Sequence, residues 1–463
     1  MKKFIKAIIS LSVISVFCIA ACCFSACGAV KHGISTVEDL YAMQSGKSYS
    51  LKCDIDLKGR AWTPLSVKNF DGNGYTIKNC TINETLTSDG GFFKRIEKLN
   101  NVTFDGVVGN ISFIADDAQW LNGGIAAGLV YKEIKNVTVI NSDLSFSVVK
   151  TDANATIVHV GGIAGEYSAG MATLSTGFTG VYDCTFLNSN LSVTGKSVSL
   201  SVGGIVGSHF TKEFLNCSVV NSVINSNGTT GGIIGFLDNG SVVKNCAFKN
   251  SEIKSTGGYA GGIVGMISSY SKPEITECSA SGGTVEVNSK GGYAVGGIVG
   301  CDYGDKTVIN NCLVSGMALD CSTVSSKADE SCLAGGLCGV ASGTVSKSIV
   351  VDCKVSGTGG TSSKNMFAAG FIARVGGSVN NCAAYGVTVT GGKSDMFAPS
   401  GDTVFNSFIG EGNALNANGL SVLSPSEWES ILEKILLDNE IWSFDDGKPS
   451  LKNIKITNGE GQK

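Results

Sequence analysis

Proline, histidine and charge are all scarce in this chain of 463 residues, which has 5 prolines, 3 histidines and 16% charged residues, and each shortage removes a class of protein. The histidines, His32, His159 and His209, form no HExxH pair, so the zinc-peptidase motif is missing. No CxxC pair stands at zinc-finger spacing, and no metal or cofactor is expected. Lys and Arg do not cluster after Lys2, Lys3 and Lys6, and the formal charge is −4. The electrostatic footprint that nucleic acid needs is therefore absent, and nucleic acid is not an expected partner. Sustained 3.6-residue periodicity is confined to the ends, which excludes long helices from the body of the chain.

Glycine and cysteine are plentiful instead, at 62 and 17 residues. The first 27 residues, MKKFIKAIISLSVISVFCIAACCFSAC, join a basic start to an apolar run and small residues ending in cysteine. This is the pattern of an export signal. Two cysteines fit the lipoprotein arrangement of an apolar residue, two small residues and Cys: Cys27, favoured by the Gly28 that follows it, and Cys22, favoured by Ile19 three positions before it. A plain cleaved signal is the alternative. Lipidation would anchor the chain by its N-terminus to the outer leaflet of the cell membrane, and no later apolar run is long enough to span one.

A repeat fills most of the rest. IKNCTINETL (77–86), IKNVTVINSDL (134–144), VYDCTFLNSNL (181–191), FLNCSVVNSVI (214–224), VKNCAFKNSEI (243–253), ITECSASGGTV (275–285), INNCLVSGMAL (309–319), VSKSIVVDCKV (345–355) and VNNCAAYGVTV (379–389) share one pattern. Between them run glycine segments such as GGIAG (161–165), GGIVG (203–207), GGIIG (231–235) and GGLCG (335–339). Successive glycine pairs, from Gly123 to the AGFIA at 369–373, lie 38, 42, 28, 30, 35, 39 and 34 residues apart. A variable period around a constant core predicts a solenoid whose loops differ from coil to coil. With three short strand-like pieces per unit, the expected fold is an all-β parallel β-helix of about nine coils, wound to the right. The expected divisions are a signal at 1–27, a tether at 28–33, a lead-in at 34–108, repeats at 109–411 and a C-terminal cap at 412–463.

Stacking like positions turns the repeat into rows. Cys80, Cys184, Cys217, Cys246, Cys278, Cys312 and Cys382 should form one inward ladder, with Val137, Ser348 and Ser407 replacing cysteine elsewhere. Valine could not serve a metal site or a nucleophile, whereas a small buried position accepts it. Disulfides between coils are the lesser alternative. The asparagine before each cysteine reads as a turn-edge residue whose amide bonds from coil to coil. The glycines read as bends or as places where a side chain would strike the next coil.

The ends differ from the middle. STVEDLYAM (35–43) predicts a short helix with a capping box of Ser35 and Glu38, and SPSEWESILEKILL (424–437) predicts an amphipathic helix capped by Ser424 and Glu427. The apolar stripe of that helix, Trp428, Ile431, Leu432, Ile435 and Leu436, is expected to pack on the last coil. Asp54, Asp56 and the DGNG at 71–74 read as turn caps, since EF-hand spacing is lacking.

The recurring GGIVG with its Asn-Cys strand resembles the GLUG-motif repeat of bacterial surface proteins, found in adhesin-like proteins and in some IgA-cleaving peptidases. The segment TVEDL…YSLKCDIDL…WTPL…FDGNGYTIKN resembles the lead-in of such proteins, and IWSFDDGKPSLKN their close. The resemblance covers most of 34–455 and implies a parallel β-helix on the cell surface. It carries no peptidase motif with it.

The function expected on these grounds is a non-enzymatic surface lipoprotein whose rigid scaffold binds glycan or protein ligands. The alternatives are a polysaccharide lyase or glycoside hydrolase on the same fold, and a purely structural envelope protein. Loops of different length leave each coil after the Gly-Ile strand. Tyr167, Phe210, Phe236, Tyr270 and Tyr303 in those loops are the candidate ligand face, against the plainer reading of aromatics that cover a coil edge. The carboxylates Asp183, Asp302, Asp305 and Asp352 look scattered, which disfavours glycoside chemistry.

Overall fold

The structure is a computed structural model that describes residues 32–456 apart from 116–119, 151–155, 168–179, 197, 210–212, 239, 271, 292, 324–330, 360–365, 392, 396–403, 406, 411–419, 429 and 436. The expected signal, with Cys22 and Cys27, and Phe210 lie outside the described residues.

The described residues form a parallel β-helix. One coil shows how it is built: Thr229–Gly231, Ile234–Leu237, Val242–Lys244, Ala247–Lys249 and Glu252–Ser255 are five short strands in succession. Each pairs in parallel with its counterpart in the next coil, as in Ile234↔Val264, Val243↔Ile275, Phe248↔Ala280 and Ile253↔Val285. A coil therefore has five strands rather than the three pieces expected. The difference comes from two sharp corners on either side of the Asn-Cys strand, which cut one extended run into several. Ten strands stack in one flat sheet and nine in a second, and the remaining columns join in a broad third sheet.

Both corners rest on left-handed backbone. Asn79, before Cys80, stacks with Gly106 and Asn141 of the second corner, while at the first corner the residue before the cysteine or its substitute has positive φ in coil after coil: Asn101, Asn136, Asp183, Asn216, Asn245, Glu277, Asn311, Lys347 and Asn381. Five residues later Asn141, Asn188, Asn221, Asn250, Gly282, Gly316, Asp352 and Gly386 do the same. Asn, Asp and Gly tolerate this region better than other residues, which is why they recur there. Between the corners a three-residue strand points its middle side chain inward. The resulting row, Phe186, Val219, Phe248, Ala280, Val314 and Val350, is buried throughout, with large and small side chains alternating from Phe186 to Ala280. Burial of each Val or Phe contributes roughly 1.5–3 kcal/mol.

The N-terminal helix, Val37–Tyr41, is capped one residue later than expected. Thr36 Oγ1 accepts from the Asp39 N–H at 3.0 Å, and Asp39 accepts from the N–H of Thr36 at 3.0 Å. This phase buries Leu40 and leaves Glu38 exposed to meet Arg60 at 3.4 Å. The aspartates of the lead-in are turn caps: Asp56 accepts from Lys58 N–H and Asn79 Nδ2, and Asp71 from Asn73 N–H.

The C-terminal segment is not confined to the last coil. Two helical pieces, Pro425–Trp428 and Ile431–Lys434, and an antiparallel hairpin, Trp442–Asp445 with Lys448–Leu451, lie along the side of the rod. Trp428, Ile431, Ile435 and Trp442 pack with Leu313, Ile349, Val351 and Ala383 from successive coils. The reason is legible in one column. The outward position that holds Leu313, Ile349 and Ala383 is occupied in earlier coils by Thr185, Ser218, Ala247 and Ser279, which are small and mostly polar. Only the later coils place large apolar side chains, Leu313 and Ile349, in that column.

Candidate functional site

The Asn-Cys pair is structural. All seven ladder cysteines are buried and unbridged, but they do not form one row. Cys184, Cys217, Cys246, Cys278, Cys312 and Cys382 stack with Val137, Ser348 and Ser407, whereas Cys80 stacks on Val107 and Ser142 in the row of the second corner, because the strand that follows it pairs with Val108 onward. The thiols of Cys184, Cys217, Cys246, Cys278, Cys312 and Cys382 each donate to the carbonyl two residues back, at 3.4 Å for Cys246 to Lys244 and 3.2 Å for Cys382 to Asn380. Ser348 makes the same bond to Ser346 at 2.8 Å, so serine replaces cysteine in kind. Burial pushes Cys80 and Cys382 up to about 12 and raises Cys217, Cys278 and Cys312. For Cys246 burial is again the largest influence and opposes ionisation, although Cys217 and Cys278 hydrogen-bond its sulfur in the opposite sense. Burial without a neighbouring cation disfavours a thiolate, which is the setting of a structural and not a reactive cysteine.

The corner amides form their own ladders. Asn216 Nδ2 donates to Asp183 at 3.0 Å and Asn245 Nδ2 to Asn216 at 3.2 Å. At the second corner the N–H groups of Val107, Ser142, Ser189 and Ser222 donate in turn to the hydroxyls of Ser142, Ser189, Ser222 and Ser251, at 3.0 to 3.1 Å. Among the described residues the one disulfide is Cys321–Cys332, outside the ladder. These two cysteines flank 324–330, and their absence from the repeated position was the available signal.

The Gly-Gly pairs mark close approach rather than unusual torsion. A Cβ on Gly161 would lie 1.9 Å from the Ala164 carbonyl oxygen, and one on Gly165 would lie 2.4 Å from the Gly123 nitrogen. The strands before and after each pair thus fold their outer faces together, and the residues seven apart across this seam meet. His159 stands 3.5 Å from Glu166, both buried. Upstream, buried Asp89 accepts from Asn122 N–H and Nδ2 and from Arg95. Downstream the seam turns apolar: Ala294, Cys301, Leu333 and Val340 form a small separate core with Tyr259, Met266 and Phe367 at its edge.

The five aromatic candidates do not share one row. Tyr167 pairs through its backbone with His209, and Phe236 is half-buried in the column of Met266 and Cys301. Tyr270 is 91% exposed in a loop, and Tyr303 is 45% exposed. What the fold does assemble is a group that the sequence did not reveal: Tyr259, Tyr293 and Tyr303, with ring centroids 5.5 and 5.9 Å apart and nearly perpendicular planes. The hydroxyls of Tyr259 and Tyr303 are hydrogen-bonded at 2.5 Å. Tyr259 and Tyr293 lead into the seam from one side and Tyr303 leaves it on the other, so only the bend at Gly-Gly brings them together.

Asp302, beside Tyr303, fixes the platform. Its carboxylate is buried and accepts from Gly304 N–H and Thr307 Oγ1, both at 2.8 Å, and from Ser342 and Gly343 N–H, both at 3.1 Å. It therefore ties the loop of its own coil to that of the next. Burial raises its pKa, with these four donors acting the other way. Asp305 is exposed in the same loop, while Asp183 and Asp352 sit at left-handed corners.

A second feature lies on the ten-strand sheet. Gly282 and Gly316 interrupt the corner side chains, leaving a groove of about 430 Å³ lined also by Asn250, Glu252, Asp352 and Lys354. Glu286 and Asp320 are in register on the same sheet, flanked in their row by Lys254 on one side and Ser356 on the other. Among the described residues no group of three His, Cys, Asp or Glu side chains could hold a metal ion, and no described helix is long and apolar enough to cross a membrane.

No family profile and no curated protein matches the chain. Among solved structures it is similar to "a putative immunoglobulin A1 protease from Bacteroides ovatus", with a TM-score of 0.32 and 14% identity over 92% of this chain and 93% of the other. A likeness this distant carries no argument about activity.

Proposed function

We propose that the protein is a non-catalytic, surface-anchored β-helix of the GLUG-repeat kind, held to the membrane through a lipidated Cys27 or Cys22, which binds extracellular glycan or protein with its loop edge. The observation that carries this reading is the tyrosine group: a constant tube of buried rows presents Tyr259, Tyr293 and Tyr303, with Tyr270 in the neighbouring loop, on a support stapled by Asp302. Aromatic rings that are half-buried and rigidly held provide contact area at low entropic cost. The test is binding of the chain to a glycan and matrix-protein array. Loss of the signal in a Tyr259→Ala, Tyr270→Ala, Tyr303→Ala variant is expected, and unchanged binding would remove this edge from consideration. Substituting Cys27 and Cys22 in turn, with metabolic lipid labelling, identifies the anchor.

One observation favours a second reading, hydrolysis or elimination on a polysaccharide. The in-register pair Glu286 and Asp320 stands on the outer face of a parallel sheet, two residues along from the groove-lining Thr284 and Ala318. Neighbouring strands are about 4.8 Å apart, near the carboxyl spacing of about 5–5.5 Å that retaining glycosidases use. Release of reducing ends or unsaturated products, abolished by Glu286→Gln, would establish that reading in place of the first.

A further inference from the structure

We propose that the ligand of the tyrosine platform is an anionic glycan, a polysaccharide carrying carboxylate or sulfate groups. This deepens the binding reading above and rests on it. The argument starts from charge placed against composition. The chain as a whole is acidic, at −4, with charged residues sparse. Yet the described loops that meet at the platform carry exposed Lys272, Lys290 and Lys306. Arg374, also exposed, lies close enough to act electrostatically on Tyr259 and Cys301. Against these four cations stand three carboxylates, the exposed Asp305 and Glu274 and, one coil earlier, the half-buried Asp238. Asp302 adds no outward charge, because its carboxylate is buried and turned onto four donors.

The two chemistries complement each other on one ligand. A pyranose ring presents a face of C–H bonds to an aromatic ring, and Tyr303 and Tyr270 are the rings with most exposed surface, at 45% and 91%. Carboxylate or sulfate groups projecting from the sugar would then lie within reach of ammonium and guanidinium groups on neighbouring coils. A neutral glycan would use the rings and leave the cations idle. A nucleic acid could also stack on the rings, but its continuous phosphate charge calls for a longer basic track than these four side chains offer.

The purified full chain is tested against four probes: hyaluronate for carboxylate, heparin for sulfate, dextran as a neutral glycan, and single-stranded DNA. Binding to hyaluronate or heparin is expected, with dextran and DNA at least about tenfold weaker. The affinity should fall about tenfold or more between low and high salt, because exposed charges are screened within a Debye length of about 10 Å at 0.1 M. Lys272→Ala with Lys306→Ala should weaken anionic-glycan binding and leave the far-ultraviolet spectrum unchanged, since both side chains are exposed. Asp305→Asn should strengthen it. The relative response to hyaluronate and heparin distinguishes carboxylate from sulfate.

Equal binding of dextran would overturn the anionic assignment while leaving the binding reading intact. Preferential binding of DNA would overturn it too, as would heparin binding that the lysine and tyrosine variants do not alter. Failure to bind any of the four probes overturns this inference. If the wider array of glycans and proteins is also silent, the binding reading falls with it.

Discussion

At the scale of single residues, the corners explain which substitutions the repeat permits. Asn216 has a φ of 56° and donates its amide to Asp183. Replacing it with Ala keeps a Cβ in the left-handed region without the short polar side chain that makes Asn tolerable there, at up to about 1–2 kcal/mol, and removes two bonds, to Asp183 and from Asn245, of about 1 kcal/mol each. Gly relieves the first cost and keeps the second. Denaturant midpoints should therefore rank wild type above Asn216→Gly and Asn216→Gly above Asn216→Ala, and equal losses in the two variants would show that the backbone contributes nothing. The thiol row makes a parallel case. Cys246→Ser should cost no more than about 1 kcal/mol, since Ser348 already makes the corner bond, whereas Cys246→Leu should cost about 1–3 kcal/mol by overpacking. Asp302 sets a pH dependence. Its pKa is raised by burial, so the stability it contributes is present in full below the unfolded value near 3.9 and is lost as pH rises through the raised folded value. Measured against Asp302→Asn, the wild type should lose relative stability as pH climbs from about 4 toward neutrality; a gain over that interval would reverse the assigned direction.

At the scale of elements, the C-terminal segment is the part whose placement depends on other coils. Trp442 donates its indole N–H to Asn311 at 3.1 Å, Asn453 donates to Glu277 at 3.1 Å, and Trp428 stacks on Tyr385 at 4.5 Å. Glu427 holds the start of the first helical piece by accepting from Ser424 N–H, and that bond, with Lys434, lowers its pKa to about 2. The sign is the ordinary one for a carboxylate: the cap is present above the unfolded value and fails as pH falls through about 2. Acidification should loosen the segment, seen as a red shift of tryptophan fluorescence and new proteolytic cleavage near residue 424. In Glu427→Ala the same change should appear at higher pH, and an identical profile in that variant would exclude Glu427 as the cause. Much of this element was legible beforehand, including the stripe of Trp428, Ile431 and Ile435. Its resting place was not, because Leu313, Ile349 and Ala383 read as ordinary strand residues until stacking puts them in one outward column. The same limit applies to the tyrosine group. Local alternation reveals which strand face a residue occupies, but Tyr259 and Tyr303 are 44 residues apart and meet only through the fold of the seam.

At the scale of the whole molecule, the coils touch only their neighbours, so stability should be distributed along the rod rather than held in common. The repeat was readable because each corner needs a residue that tolerates positive φ and each seam needs glycine, and both demands recur at every turn. Gly232 tests how far damage spreads. A Cβ there would lie 2.0 Å from the Gly262 carbonyl oxygen and 2.4 Å from the Phe248 ring, so neither neighbour can yield without moving backbone or core. Gly232→Ala should cost roughly 3 kcal/mol, concentrated in the coils that hold Gly204 and Gly262. Hydrogen exchange should then lose protection in strands Val206–His209, Ile234–Leu237 and Val264–Ile267 while the long strands Phe93–Asp105 and Ala127–Ile140 keep theirs. By contrast, a short insertion in the loop at 268–273 should leave protection almost unchanged, since doubling a loop costs only about 0.6 kcal/mol. Uniform loss of protection from end to end in Gly232→Ala would mean that the rod unfolds as a single cooperative unit and that nearest-neighbour stacking is the wrong description of its stability.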